Sequence, residues 1–286
     1  MEPHSFLGYF RLKVIITFLR ILTLYKAGKP LRRDAKLAEA NYSVRRERLR
    51  ITSRDARHYI DAELYVLFAL RASHELQINI LGVDYRKVPE HPFPAAIHDV
   101  EATLRWVGAE ENRERFDASR VAVSGFSSGG TLALVASSAL RADLNAAGVN
   151  ISAAAAVYPG TDLVSPPEHK KPPKDGINPM NPAILNLFTD CYVLNKSMRA
   201  DPRASPGRAD PQSYPQMVAI LTYEGDQLAP EGLALADKLK QDGQRKVIKE
   251  MILVPLILAQ RREHCKQKRR DEMYALIIKT LKEALL

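Results

Sequence analysis

The apolar positions along the chain follow two alternating patterns, which together predict alternating strands and helices. Short apolar runs rich in branched residues predict strands, and apolar residues recurring every three or four positions predict helices. The predicted strands are 48–52, 58–65, 77–85, 120–125, 151–158, 217–223 and 246–254, and the predicted helices are 66–75, 95–109, 128–142, 230–242 and 272–286. This alternation indicates an α/β fold, with a mostly parallel central sheet covered by helices on both faces.

Two segments depart from the alternation. Residues 160–212 contain a stretch rich in proline and lysine, from Pro166 to Pro179, and we interpret them as a lid inserted between two strands. Residues 1–44 precede the first predicted strand and form a separate N-terminal helical segment in the prediction. The remaining residues, 45–286, are long enough to build one domain with its own hydrophobic core.

The N-terminal segment is apolar from Phe6 to Tyr25, but Arg11, Lys13 and Arg20 interrupt it. It is therefore a poor transmembrane span, and it lacks the cleavage site of a signal peptide. Two interpretations stay open. The helix packs on the domain as part of the lid, or residues 5–33 contact a membrane surface through a peripheral helix with basic neighbours.

Charge and cysteine content exclude several classes of function. The formal charge is +9, but the excess of Lys and Arg lies in residues 1–60 and 257–286, and the middle of the chain is mildly acidic. This distribution argues against nucleic-acid binding. Two cysteines, Cys191 and Cys265, stand without metal-ligand spacing, so no metal site and no disulfide framework is expected. We expect a cytoplasmic protein, with membrane association as the open alternative.

The strongest chemical signal is a serine in the pattern G-x-S-x-G. A predicted strand runs into Gly125, Ser127, Ser128 and Gly129, and a predicted helix follows. In this context the serine hydroxyl is exposed on a tight turn, and the N–H of the next residue faces a developing oxyanion. We expect glycines on either side because the strand and the helix nearly touch. The alternative is a Gly- and Ser-rich turn without chemistry.

Four segments together carry a resemblance to hormone-sensitive-lipase-type α/β-hydrolases. They occur in the family's order between residues 45 and 250. They are VDYRKVPEHPFPA at 83–95, GFSSGG at 125–130, DPRASP at 201–206 and GDQLAPE at 225–231. The resemblance implies the α/β-hydrolase fold, an eight-stranded sheet with a helical lid, and a serine hydrolase of carboxylic esters that needs no cofactor. It also implies a small-molecule ester as substrate.

Residue by residue, the resemblance places Ser127 on the nucleophile and Asp226 on the acid that orients a histidine. Asp226 follows a buried strand, where such an acid belongs. Its alternative role is to cap the helix that begins near Pro230. Ser128, with Gly125 and Gly129, occupies the oxyanion and elbow positions.

The first departure from the family is a missing glycine loop. The sequence has no HGGG; after Tyr65 it continues directly into VLFALRASHE, which resembles a later helix. The family's third strand, which lies inside the sheet beside the elbow strand, is therefore predicted to be missing. Two arrangements follow: residues 77–85 close up against 120–125, or the sheet keeps a gap of unpaired backbone groups.

The second departure concerns the catalytic histidine. After the last predicted strand no histidine occurs until His264, in a basic stretch. His264 is the candidate base, and a solvated histidine at a helix start is the alternative. Three hypotheses of function follow. The first is an ester hydrolase with a Ser127–His264–Asp226 triad and impaired activity, and the second is a non-catalytic ligand-binding or scaffold protein of the same fold. The third is a membrane-surface protein whose N-terminal helix is the main functional feature.

Overall fold

The computed structural model describes residues 67–174, 179–252 and 263–286, the shorter stretches 40–42, 47–54 and 59–62, and the single residues Ile15 and Lys36. The predicted N-terminal segment, including the stretch 5–33, falls almost entirely outside the described residues. The chain divides into two compact units. The first comprises residues 1–103 with 190–194, and the second comprises residues 104–189 with 195–286.

The first unit holds a three-stranded antiparallel sheet, in which β2 (Tyr59–Ala62) lies between β1 (Leu49–Thr52) and β3 (Val83–Asp84). Its core includes Ile51 and Ile60, which are paired across β1 and β2. Helix α1 (Leu67–Leu76) follows β2, and α2 (Ala95–Val107) begins in this unit. The Asp99 carboxylate of α2 binds the guanidinium of Arg86, with Nη2 and Oδ1 2.8 Å apart, and this ion pair braces the turn after β3.

The prediction of a buried strand over residues 77–85 is wrong for most of its length. Only Val83 and Asp84 pair, with Ala62 and Asp61 of β2, and none of residues 77–85 is fully buried. An apolar run forms a buried strand only where neighbouring strands accept its backbone hydrogen bonds on both sides. Here β3 has a single neighbouring strand, and the part of the apolar run that precedes it, residues 78–82, is irregular chain.

The second unit holds a four-stranded parallel sheet in the order β4 (Val121–Phe126), β5 (Ile151–Val157), β6 (Met217–Tyr223) and β7 (Lys246–Ile252). Its helices are α3 (Ser128–Ala136), α4 (Arg141–Ala146), α5 (Pro182–Tyr192, whose last three residues belong to the first unit), α6 (Ala229–Gln241) and α7 (Glu263–Leu285). The chain between β5 and β6 also contains four short 3₁₀ turns in its described stretches, besides α5.

Both faces of the parallel sheet are covered by helices, as the apolar pattern predicts. Every residue of β6 is buried. On one face, a Cβ on Gly232 of α6 would lie 3.3 Å from the Thr222 side chain. On the other face, the hydroxyl of Tyr223 donates to the sulfur of Met273 in α7, at 3.0 Å. Because neighbouring residues of a strand point to opposite faces, α6 and α7 must pack on opposite sides.

The predicted helix over residues 128–142 is in fact two helices. Helix α3 ends at Ala136, and α4 begins at Arg141. The hydroxyls of Ser137 and Ser138 both donate to the carbonyl of Leu134, at 3.1 and 2.7 Å. Such side-chain bonds compete with the backbone ladder and favour helix ends. Helix α7 differs in the opposite sense: it begins nine residues before the predicted start, because its first turns are polar and carry no apolar stripe.

Within the described ranges there are seven strands rather than the eight that the resemblance implies. They form two sheets, and the division falls between β3 and β4, where the missing strand is predicted. Of the two arrangements foreseen, pairing of residues 77–85 with β4 is therefore not the one observed. As the edge of its sheet, β4 has no fully buried residue, and Ser124 is exposed.

Candidate active site

Ser127 occupies a strained turn between β4 and α3, as the G-x-S-x-G pattern predicts. Its backbone angles are φ 52° and ψ −122°, in a region that non-glycine residues rarely adopt. Two backbone hydrogen bonds hold it there: the Ser127 N–H donates to Val157 O at 2.9 Å, and the N–H of Thr131 donates to Ser127 O at 3.0 Å. Strain of this kind persists only where the surroundings impose it, and it clusters at functional sites.

Close approach of strand and helix explains Gly125, as we expected, and Gly130 instead of Gly129. A Cβ on Gly125 would lie 2.3 Å from the carbonyl of Gly129, and one on Gly130 would lie 3.0 Å from Gly125 O. A Cβ on Gly129 would have no atom within 4 Å. The expectation for Gly125 is confirmed. The expectation for Gly129 is wrong, because its backbone makes the contact and its missing side chain would point into open space.

The elbow presents its hydroxyl and the start of a helix to solvent. Both Ser127 and Ser128 are exposed. The Ser127 hydroxyl has no hydrogen-bond partner among the residues that the structure describes. Ser128 is the first residue of α3, and the first turn of a helix directs backbone N–H groups and positive potential outward. The elbow can therefore offer a nucleophile and an oxyanion donor from adjacent residues.

Asp226 lies in the turn after β6, and its carboxylate is only partly engaged. The Leu228 N–H donates to Oδ1 at 2.9 Å, and no described residue hydrogen-bonds to Oδ2. This bond is compatible with the capping alternative, because Oδ1 accepts the N–H of Leu228, the N-cap residue of α6, whose own side chain makes no cap. Burial raises the pKa of Asp226, while the Leu228 N–H and the charge of Lys170 oppose that rise. One carboxylate oxygen is thus left for a further donor.

An aromatic cluster that the sequence analysis missed lies between these two residues. Tyr158 follows β5 directly, with a left-handed φ of 40°. Its ring lies 6.1 Å from that of Phe126, which precedes Ser127, and 5.2 Å from that of Tyr223, which ends β6. Burial and the negative charge of Asp226 raise the pKa of Tyr158. A tyrosine ending a buried strand, immediately before Pro159, was the available signal.

Sheet geometry sets the separation of the two candidate residues. Ser127 follows β4 and Asp226 follows β6, with β5 between them. Two strand spacings amount to about 10 Å between backbones. An imidazole with a hydrogen bond at each ring nitrogen spans about 8 Å from donor to acceptor. A single histidine therefore suits two side chains that extend from backbones two strand spacings apart.

The candidate histidine is His264, the second residue of α7. Its side chain lies outside the described part of the structure, and so do residues 253–262, which precede the helix. Its place in a triad stays a prediction. Of the other histidines that the structure describes, His74, His91 and His169 are exposed and His98 is partly buried.

Neither a metal centre nor a membrane span is found where the structure can be described. In those ranges no three His, Cys, Asp or Glu side chains are grouped as metal ligands. Nor does any helix among the described residues have the length and apolar character needed to cross a membrane.

The chain belongs to the alpha/beta hydrolase fold family, whose sequence profile matches residues 61–252. This confirms the resemblance to hormone-sensitive-lipase-type hydrolases that the motifs indicated. Among curated relatives, carboxylesterase NlhH of Mycobacterium tuberculosis is 32% identical over 175 residues, which cover 58% of this chain and 52% of that protein. Ethyl acetate hydrolase of Pseudomonas putida is 30% identical over 166 residues, which cover 58% and 51%. The chain spans about half the length of these curated relatives.

Solved structures of similar shape support the same fold. The esterase LipW from Mycobacterium marinum superposes with a TM-score of 0.73 and 21% identity, covering 92% of this chain and 90% of that chain. A hyperthermophilic esterase from Pyrobaculum calidifontis gives a TM-score of 0.69 and 22% identity, covering 91% of both chains. At this level of identity the likeness establishes the fold and not the activity.

Proposed function

We propose that this protein is a carboxylic-ester hydrolase with Ser127 as its nucleophile. The observation that carries the proposal is the left-handed φ of Ser127 directly after β4, with this serine exposed at the start of α3. The names of the relatives, carboxylesterase and ethyl acetate hydrolase, indicate small ester substrates. No cofactor takes part in this chemistry.

The proposed reaction proceeds through an acyl-enzyme. The Ser127 hydroxyl transfers its proton to the histidine and attacks the ester carbonyl, and the tetrahedral oxyanion is bound by the N–H of Ser128. The histidine returns the proton to the alcohol, which leaves. Water then loses a proton to the histidine and attacks the acyl group, and Ser127 regains its proton. Asp226 orients the histidine through Oδ2; His264 is the base in this proposal.

The absence of HGGG from the sequence affects the expected rate. In the family those glycines add N–H donors to the oxyanion hole, and here Ser128 supplies the donor that the motif provides. Loss of one oxyanion donor costs about 10²–10³ in kcat. We therefore propose a slow esterase. The non-catalytic ligand-binding protein is the alternative that the following experiment separates from it.

The test is hydrolysis of p-nitrophenyl butyrate by the purified protein and by S127A. The matched control is S124A, which removes an exposed hydroxyl from β4 and no group of the proposed mechanism. We expect S127A to fall to the background rate and S124A to retain activity. Fluorophosphonate labelling should mark the wild type and S124A but not S127A. Equal rates for the wild type and S127A would show that no serine catalysis occurs.

The histidine is tested in the same assay. We expect H264A to lose activity as S127A does, because an unassisted serine hydroxyl stays protonated at neutral pH. His169, which is exposed, supplies the control H169A with unchanged activity. An H264A variant as active as the wild type would remove His264 from the mechanism and leave Ser127 to be judged by its own variant.

We further propose a cytoplasmic location with peripheral membrane contact through residues 5–33. The proposal rests on the apolar run from Phe6 to Tyr25 and on the basic residues after it. Flotation with anionic liposomes should recover the full chain but not a variant lacking residues 1–40. Equal flotation of the two proteins would reject this contact.

A further inference from the structure

A buried ion pair joins the predicted lid segment to the helix that follows Asp226. The Lys170 Nζ lies 2.6 Å from Glu231 Oε2, and it also donates to the carbonyl oxygen of Asp162 at 2.5 Å. The two charged side chains are only 9% and 13% exposed. Lys170 belongs to the Pro- and Lys-rich stretch. This stretch lies outside the family motifs and takes no part in the proposed reaction.

Glu231 also binds the start of the same segment. Its Oε1 accepts hydrogen bonds from the backbone N–H groups of Thr161, at 2.6 Å, and Asp162, at 3.2 Å. Both carboxylate oxygens are thus engaged by residues that follow β5. Since Glu231 lies in the first turn of α6, the segment after β5 is tied to the beginning of that helix.

A second lysine makes a similar connection on the other side of Asp226. The backbone N–H of Lys174 donates to Glu224 O at 3.0 Å, and its Nζ donates to Glu224 Oε1 at 2.7 Å. Glu224 and Glu231 bracket the turn that carries Asp226. Lys170 and Lys174 therefore hold this turn from both ends, and we call the pair the lysine clasp.

The charge of Lys170 also acts on Asp226 directly. It opposes the effect of burial on the pKa of Asp226, and it does the same for Glu231. The other titratable groups found to face Asp226 in the described part of the chain are Tyr158 and Tyr223. Their pKa values are raised mainly by burial, so both stay neutral. Among the residues that the structure describes, Lys170 is thus the cation that favours an ionised Asp226. Its charge also lowers the pKa of Asp162.

We propose that Lys170 is a positioning residue, which fixes the Asp226 turn against the segment after β5 and holds the carboxylate in the state that a catalytic histidine needs. The effect of Lys170 on the rate rests on the proposed esterase function. Its effect on the position and ionisation of Asp226 does not require that the protein be active. A buried ion pair adds little net stability compared with apolar side chains, so stability alone is a weak reason for this arrangement.

The kinetic test compares K170Q with K171Q. Lys171 is the adjacent lysine, it is exposed, and it makes no ion pair among the described residues, so it is a matched control. We expect K170Q to lower kcat about tenfold, with KM changed by less than about twofold, and to move the acid limb of the pH–rate profile to higher pH. K170R, which keeps the charge, should recover part of the rate. A K170Q variant with wild-type kcat and an unshifted profile would overturn the proposal.

A second measurement does not require activity. The Asp226 carboxyl is titrated by carbon-13 NMR with labelled aspartate, and D226N assigns its signal. We expect Asp226 to titrate at higher pH in K170Q than in the wild type, and at the wild-type pH in K171Q. An identical titration in all three proteins would overturn the proposal. If the wild type hydrolyses no ester, the proposed function fails, and this titration still decides the role of Lys170.

Loss of Lys170 leaves the Glu231 carboxylate buried without its cation, which can prevent folding. The double variant K170Q/E231Q removes both charges and keeps the neutral hydrogen-bonding groups. It serves as the folded protein for both measurements. Because it also lacks the Glu231 anion, it is compared with E231Q, in which Lys170 keeps its charge, and Asp226 should titrate at higher pH in the double variant than in E231Q. Equal titration of E231Q and the double variant would overturn the proposal.

Discussion

Gly125 and Gly129 make a backbone contact at the elbow that leaves no room for a side chain on the first of them. A Cβ on Gly125 would lie 2.3 Å from both the carbonyl carbon and the carbonyl oxygen of Gly129. Atoms at that distance belong to rigid backbone and not to a flexible side chain. The position of Ser127 therefore depends on a missing methyl group two residues away.

We predict that Gly125→Ala destabilises the protein at or above the upper end of the range of about 1–3 kcal/mol typical of overpacking. It should also remove the fluorophosphonate labelling of Ser127. Gly129→Ala is the control, because its Cβ would have open space inside α3, and it should stabilise the protein by about 0.5–1 kcal/mol. Urea unfolding measures both. Equal stability of the two variants would contradict the close approach.

The raised pKa of Asp226 means that its ionised form lowers the stability of the native state at pH 7, although the proposed reaction needs that form. Its pKa in the native state lies above the unfolded value of about 3.9, so the native state holds the proton more tightly. This contribution to stability is present below about pH 3.9 and is lost as the pH rises through the native pKa. Asp226→Asn carries no charge, and we expect it to be more stable than the wild type at pH 7, with a difference that narrows toward pH 4.

The same variant should be almost inactive, because an amide does not hold the histidine as a carboxylate does. A loss of about 10⁴ in kcat is expected for this substitution in a triad. Thermal unfolding at several pH values, together with the p-nitrophenyl butyrate assay, checks both effects. A D226N variant that is less stable than the wild type at pH 7 would refute the electrostatic argument.

Asp117 should show the opposite dependence on pH. Its carboxylate accepts hydrogen bonds from the Ser119 hydroxyl, at 2.5 Å, and from Arg120 Nε, at 2.7 Å, and these lower its pKa to about 2. A depressed pKa stabilises the protein above the unfolded value of about 3.9, and this stabilisation is lost as the pH falls through about 2. Asp117→Asn should therefore be less stable than the wild type at pH 7. Unfolding curves that coincide at that pH would show that the turn before β4 gains nothing from the charge.

Replacing Gln227, which is adjacent to the candidate acid Asp226, should stabilise the protein. Its side-chain amide nitrogen and oxygen are both buried, and neither has a hydrogen-bond partner among the described residues. A buried polar group without a partner costs about 1–3 kcal/mol. We expect Gln227→Met, which keeps the length of the side chain, to raise the free energy of unfolding by about 1 kcal/mol or more. The exposed Gln216 gives the control Gln216→Met, with a change within about 0.5 kcal/mol. A loss of stability in Q227M would be inconsistent with an unpaired amide.

The local features of the fold followed from the sequence with few errors. The strands at 217–223 and 246–252 and the elbow at Ser127 were predicted nearly residue for residue. These features depend on short-range spacing: branched apolar runs, a glycine two residues before the serine, and a proline near a helix start. The helix over 128–142 failed because Ser137 and Ser138 bond back to Leu134, a choice that composition does not reveal.

The relationships between distant residues had to come from the tertiary structure. Nothing in the spacing of Lys170 and Glu231, 61 positions apart, marks them as a buried pair, and the same holds for Tyr158 and Tyr223. The weak strand at 83–84 belongs here as well, because its backbone hydrogen bonds depend on which strands lie beside it.

The sequence by itself therefore determined the family, the nucleophile elbow and the candidate acid, because each is encoded within a few consecutive residues. Only the tertiary structure decided how those residues are supported. It tied the Asp226 turn to the segment after β5 through the lysine clasp, placed Tyr158 between the two ends of the site, and divided the strands into two sheets. The physical reason is that burial, charge pairing and strand pairing depend on neighbours that the folded chain brings together from positions far apart in the sequence.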